Sequence, residues 1–395
     1  MSELSVIDPA HLIEQIKTRL AAAPHRSTYH HFKIAPGPTD PPAYTLIVGA
    51  GFSHGVVPLT RQLICETIGD YYVPDQDQSS LERPPRALEK HSASFWSEFN
   101  RASGQAGLPT VEVDRRGLPK DPGAAYRRLF EFEGANALFA QPEKPRKPSY
   151  LDRLRQQRGL PIEEPKAPPD AGRKFVRGFL RYVLDPGGEH GWGSTGRNRL
   201  NPAHRYLAKL LEAQQTGSGW TGAAFCRTIF TTNFDTLLQV ALQQAGIVYL
   251  LTDRPEGGFD TGTFPDEEAA IHLVYTHGSI LRHNPASAAH ELSGLADRNV
   301  EILRNYLQSR DVITIGYGGW EDGLMRALAE CDASRHRLYW CDVPPAPDSR
   351  LAEFLGSKGP GAVYVSLGKD GADGLMRGLY QALVSAPPEP APHTP

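Results

Sequence analysis

Two kinds of apolar run alternate along the chain. Short, nearly continuous apolar stretches occur at 44–48, 226–230, 248–251, 271–275, 312–315, 338–341 and 362–366. Between them lie longer segments at 203–214, 235–245, 296–309, 321–331 and 373–384 whose apolar residues return with helical spacing. Strands buried on both faces read as continuous apolar runs, and their alternation with helices predicts a parallel sheet covered by helices on both faces. Ahead of this series, 8–23 reads as a helix: Asp8 can cap it, Pro9 suits its first turn, and Leu12, Ile13, Ile16 and Leu20 share one face.

After the first strand the alternation is interrupted. The stretch PLTRQLICETIGDYY continues it as a helix, with Leu59, Leu63, Ile64, Ile68 and Tyr72 in helical register. From 73 to 199 the chain turns polar and rich in Pro and Gly, with helical pieces such as RKFVRGFLRYVL and flexible stretches expected around 141–148 and 163–170. The expected organisation is a helical arm and linker over 1–43, a core formed by 44–72 and 200–385, a mostly helical insertion over 73–199, and a disordered tail over 386–395.

Composition narrows the setting. A chain of 395 residues that is 40% apolar can bury a core, and a net charge of −3 gives no general attraction to nucleic acid or membrane, so direct binding to either is not expected. The cysteines at 65, 226, 331 and 341 are never in CxxC spacing, which suggests neither a disulfide framework nor a zinc ribbon and fits a reducing, cytoplasmic location. The first twenty residues mix acids with apolar residues unlike a signal peptide, and no stretch approaches the apolar length of a membrane span.

Five segments placed just after predicted strands could carry chemistry. GAGFSHGVVP (49–58) supplies the glycine-bearing turn of a strand–turn–helix unit, where backbone amides can approach a diphosphate, though such a turn is often only a turn. This unit makes the expected α/β fold Rossmann-like. IFTTNFDTLL places Thr231, Thr232, Asn233 and Asp235 at a strand end opening a helix; capping explains one of these polar residues more readily than four. LVYTHGSI puts His277 after a third strand, where a histidine can act as a base near neutral pH, against the plainer reading of one structural histidine among fourteen. VITIGYGGWEDG repeats a glycine turn at Gly316, and LYWCDVPP ends a strand on Asp342, placed to accept hydrogen bonds from ribose hydroxyls or simply to precede a surface turn.

Taken in order, these segments resemble the sirtuin superfamily: glycine loop, TxNxD strand end, HG dipeptide, G-x-G strand end, then a ribose-facing turn. The resemblance covers 44–70 and 226–384 and leaves out the arm and the insertion. It implies that Gly49, Ala50, Gly51, Phe52 and Ser53 grip an NAD diphosphate, that Asn233 stands by the nicotinamide ribose with Thr232 beside it, and that Asp235 lies at the nicotinamide pocket. It further implies that His277 is the base and that Gly316 and Tyr317 line ribose and phosphate. Asp342 stands where the family commonly has Asn or another polar residue, so its carry-over is the weakest.

Protein-deacylating sirtuins carry a four-cysteine zinc module between the HG histidine and the next glycine strand end, and here no cysteine lies between His277 and Gly316. The chain is therefore most similar to zinc-free, sirtuin-like NADases of prokaryotic antiphage systems, and the resemblance implies an NAD glycohydrolase with NAD as substrate and no metal. It also implies a homo-oligomer and a separate partner such as a HerA-type ATPase or a short Argonaute-type protein. Two other readings stay open: a module that binds NAD or ADP-ribose without turnover, and a zinc-free NAD-dependent deacylase.

Overall fold

The computed structural model describes residues 4–22, 44–57, 59–72, 85–131, 133–139, 171–184, 200–220, 223–253, 270–277, 297–307, 310–319, 322–331 and 336–384. The linker 23–43, the stretches 141–148 and 163–170 expected to be flexible, the residues Gly278 and Ser279, and the tail 386–395 lie outside them. The chain divides into two compact units, one formed by Met1–Val57, Gly193–Ala286 and Glu291–Pro395, the other by Pro58–Trp192 and Ser287–His290.

The first unit holds one eight-stranded sheet made of β1 (Ser5–Ile7), β2 (Tyr44–Val48), β3 (Cys226–Thr231), β4 (Tyr249–Asp253), β5 (Ile271–Tyr275), β6 (Asp311–Ile315), β7 (Leu338–Asp342) and β8 (Ala362–Ser366). Its order is β1-β8-β7-β6-β2-β3-β5-β4, and every pairing is parallel. In β2, β5 and β6 every residue is buried, as their continuous apolar runs predict. Side chains alternate across a strand, so Leu46 and Val48 join Ile313, Ile315 and Cys341 on one face while Ile47 joins Val312, Trp340 and Tyr364 on the other. Helices Pro9–Ala22, Pro202–Thr216, Leu237–Gln244 and Gly371–Leu383 cover the first face, and Asp297–Leu307, Gly323–Glu330 and Ser349–Ser357 the second. The fold is thus α/β with a parallel sheet covered on both sides.

Two elements of this unit go beyond the sequence pattern. The edge strand β1 pairs with β8, and helix Ser349–Ser357 follows β7, capped by Asp348, whose carboxylate accepts from the Leu351 amide at 2.8 Å. Helix Pro9–Ala22, read from sequence as part of an arm, lays Leu12, Ile16 and Leu20 into the core of the first face.

The second unit is helical among its described residues, apart from an isolated bridge between Val113 and Pro119. A helical run over 60–72, with π pitch across Leu63–Thr67, packs against helix Pro85–Gln105, and the Trp96 indole N–H donates to the Ile64 carbonyl at 2.9 Å. Helices Pro122–Phe130, Glu133–Phe139 and Ala171–Leu184 complete an aromatic core in which Phe175 meets Phe139 at 4.7 Å and stacks on Phe95 at 5.8 Å between ring centroids. Among the described residues no helix is long and apolar enough to cross a membrane.

Chain order explains where a ligand site belongs in the first unit. From β2 the chain runs outward through β3 to β4 and β5, then crosses back to β6 on the other side of β2 and continues through β7 to β8. Open α/β sheets bind ligands at such a reversal, which here falls beyond the carboxyl ends of β2, β3 and β6.

Candidate active site

Two glycine turns interlock at the carboxyl ends of β2 and β6. The Gly49 amide donates to the Ile315 carbonyl and the Gly51 amide to the Gly316 carbonyl, both at 3.0 Å. A Cβ on Gly49 would stand 2.5 Å from the Gly316 oxygen, and one on Gly316, whose φ is +63°, would stand 2.6 Å from the Gly51 backbone and the Phe52 nitrogen. Backbone lies on both sides, so neither loop can yield, and glycine is required at each position. The Phe52 amide turns back to the Gly49 carbonyl at 2.9 Å. Three of the five amides of loop 49–53 therefore serve the fold, and Ala50 is exposed.

Ser53 points away from this interlock into a buried polar cluster. Its hydroxyl donates to Asp235 Oδ2 at 3.0 Å and accepts from Asn233 Nδ2 at 3.1 Å. The Asn233 amide is fixed by Thr231 Oγ1 at 3.1 Å, Asp235 Oδ1 accepts from the Leu237 amide at 3.0 Å, and the Tyr275 hydroxyl donates to the Asp235 carbonyl at 2.9 Å. The Thr232 amide ties the same turn to the Val48 carbonyl at 3.2 Å. Burial raises the Asp235 carboxyl above the usual carboxylate range, against the pull of hydrogen bonds from Leu237, Ser53 and Asn233. Asn233 Oδ1 is buried without a hydrogen-bond partner among the described residues.

Helix Pro202–Thr216 supplies a second layer beneath this cluster. Asn201 caps it through the His204 amide at 3.0 Å, contacts His204 Nδ1 with the same oxygen, and donates from Nδ2 to the Phe52 carbonyl at 2.6 Å. His204 Nε2 lies 3.4 Å from Ser53 Oγ, and its ring meets Phe52 edge-on at 5.0 Å. Burial lowers its pKa to about 3, so the ring is neutral.

His277 and Asn233 stand at matching positions, each two residues past the paired Thr231 and Tyr275 of β3 and β5. The His277 ring is buried, 6.3 Å from that of Phe234, and its Nε2 lies 3.1 Å from Asp322 Oδ2, off the axis of a hydrogen bond. Asp322 is wholly buried; its Oδ1 caps helix Gly323–Glu330 through the Met325 amide and accepts from the Tyr317 hydroxyl, both at 2.7 Å. The side chain of Tyr317 is thus engaged with Asp322 and packs on Trp340 at 5.5 Å. Asp342, at the end of β7, accepts from the Val343 amide at 2.7 Å, and burial raises its carboxyl. No contact among the described residues joins it to Asn233 or His277.

Sequence reasoning passed over Asn201, His204, Tyr275 and Asp322. Asn201 and Asp322 carry a readable signal, since each precedes a helix as a capping residue. His204 and Tyr275 lie within regular elements, where only the packed structure reveals which way they face. Among the described residues no group of three or more His, Cys, Asp or Glu side chains is placed to hold a metal ion.

The first unit therefore defines a parallel α/β protein with a buried polar site at its switch point. Residues 227–358 match the family model of the SIR2-like domain, a span that includes Asn233, Asp235, His277, Gly316, Tyr317, Asp322 and Asp342 but neither loop 49–53 nor the Asn201–His204 pair. The match supports NAD-related chemistry in general for this region. No curated protein matches the chain.

Proposed function

We propose that the protein is an NAD glycohydrolase, cleaving the bond between nicotinamide and ribose to give nicotinamide and ADP-ribose. The observation that carries this reading is the pair Asn233 and His277, side by side on adjacent strand ends, with Asn233 Oδ1 buried and unpartnered beside Asp235. Such an oxygen costs about 1–3 kcal/mol if left unsatisfied, a cost readily understood where a ligand supplies the partner.

In this reading NAD spans the switch point, with its diphosphate toward Gly49, Ala50, Gly51, Phe52 and Ser53 and its adenosine ribose toward Gly316, Tyr317 and Asp342. As the glycosidic bond breaks, its electron pair leaves with the nicotinamide nitrogen and positive charge grows on the ribose. Asn233 orients the ribose or the attacking water, and Asp235, near the nicotinamide amide, favours that charge when ionised. His277 takes the proton released as water bonds to the anomeric carbon, directly or through a ribose hydroxyl. The cysteine-free interval from His277 to Gly316 favours water over an acyl-lysine as acceptor.

The resemblance to zinc-free NADases extends the reading to depletion of cellular NAD in antiviral defence, with activity held in check by homo-oligomerisation or by a HerA-type ATPase or short Argonaute-type partner. The test is to incubate purified protein with NAD, alone and with the product of its neighbouring gene, and to measure nicotinamide and ADP-ribose. Asn233→Ala and His277→Ala are each expected to lower release by about 10²-fold or more while remaining folded by circular dichroism. Full activity in both overturns the assignment. Saturable NAD binding without release supports a sensor, and release only with an acylated peptide supports a deacylase.

A further inference from the structure

Asp322 is a buried acid that the mechanism above does not use. Nothing about a helix cap alone requires it to be wholly buried against a histidine, since a cap needs only one oxygen, and Oδ1 fills that role while also accepting from Tyr317. With Oδ1 held from two sides, the carboxylate cannot turn freely, and Oδ2 is left facing His277 Nε2 at 3.1 Å. Neither of these two atoms has another hydrogen-bond partner among the described residues.

We propose that Asp322 is the positioning residue of His277: its carboxylate, pinned by Tyr317 and the Met325 amide, holds the proton of the ring on Nε2 and so makes Nδ1 the basic nitrogen. Which nitrogen of a histidine is basic is set by the hydrogen bond that the other one makes. When Nδ1 accepts a proton, the positive ring lies against a carboxylate in a water-poor site, where the attraction is stronger than in bulk water. Asp322 itself gains no proton and touches no substrate. The hydroxyl of Tyr317, a residue read from sequence as lining the nucleotide, here orients the acid that orients the base. The use made of the proton rests on the NAD-hydrolysis reading, but the pairing does not.

Three variants separate this role from capping. Asp322→Asn and Asp322→Ser both keep good helix caps, but the asparagine turns an N–H toward Nε2 and the serine falls short of the ring; Tyr317→Phe removes one of the two anchors. Long-range ¹H–¹⁵N correlation on full-length protein labelled at histidine, with the His277 signals assigned by their loss in His277→Ala, is expected to show the Nε2–H tautomer in the wild type and the Nδ1–H tautomer in Asp322→Asn. In NAD turnover the Asn and Ser variants are expected to lose about 10²- to 10⁴-fold in kcat with KM changed only a few-fold, and Tyr317→Phe about 10-fold. An Nδ1–H tautomer in the wild type overturns the pairing, as does a kcat within about threefold of wild type in a folded Asp322→Asn protein. If the wild type releases no nicotinamide yet its ring carries the Nε2 proton and loses it in Asp322→Asn, the pairing stands and the hydrolase reading falls.

Discussion

His204 shows what burial does to a single titratable side chain. Its ordinary pKa near 6.5 falls to about 3 because the folded protein cannot hydrate its charged form, so at neutral pH it acts as a fixed dipole between Asn201 and Ser53. Between those two values the unfolded chain binds a proton that the folded one refuses, and stability is therefore lost as pH falls from about 6.5 toward 3. His272, lowered to about 4 by burial, adds to the same slope, while Asp235, raised by burial, opposes it at the acidic end. Replacing His204 with Gln, which keeps polar atoms and cannot charge, is expected to flatten the fall of the urea midpoint between pH 6.5 and 4. An unchanged slope would show that another group controls acid unfolding.

Among elements, the strand ends differ in how much of them sequence can convey. The seven apolar runs correspond to β2–β8, most of them strands whose burial on both faces leaves an unbroken signature, while β4 at the sheet edge exposes Leu250; helices 237–244, 297–307, 323–330 and 371–383 were legible from their spacing. β1 was not, because three residues, two of them exposed, carry no period. Helix Ser349–Ser357 follows a Pro-rich stretch and buries only Leu355 fully, so its apolar stripe is faint. Glycine turns at 49–51 and 316 were legible as turns, yet their mutual contact was not, since each reads as if it faced a ligand. Gly316→Ala sets a Cβ against backbone at a positive φ and is expected to cost more than about 1 kcal/mol, the ordinary penalty for such a site without a clash, measured by urea denaturation. A smaller loss would mean that the two turns can separate.

At the scale of the whole chain, the covering of the sheet is the feature that composition hid. Helix Pro9–Ala22 was legible as an amphipathic helix, but which surface it covers depends on partners far along the sequence. Ile16 is fully buried among them, and Ile16→Ala is expected to cost about 2–5 kcal/mol in chemical unfolding. A loss below about 1 kcal/mol would mark this helix as loosely held. The candidate site was legible in its residue types, because Asn233, Asp235 and His277 follow apolar runs. Its supporting layer was less so: sequence offers Ser53 as a phosphate contact but gives no sign of the hydrogen bonds and contact that join its hydroxyl to Asn233, Asp235 and His204.

The clasp between the turn after β2 and the turn after β6 joins the early part of the chain to a late one. During synthesis the ribosome must release Gly316 and the residues around it before loop 49–53 has anything to close against. A chain that stops just past His277 already carries Ser53, Asn233, Asp235 and His277 but lacks the surface that shapes the loop. Products truncated before β6 are therefore expected to leave loop 49–53 without the backbone that holds its shape.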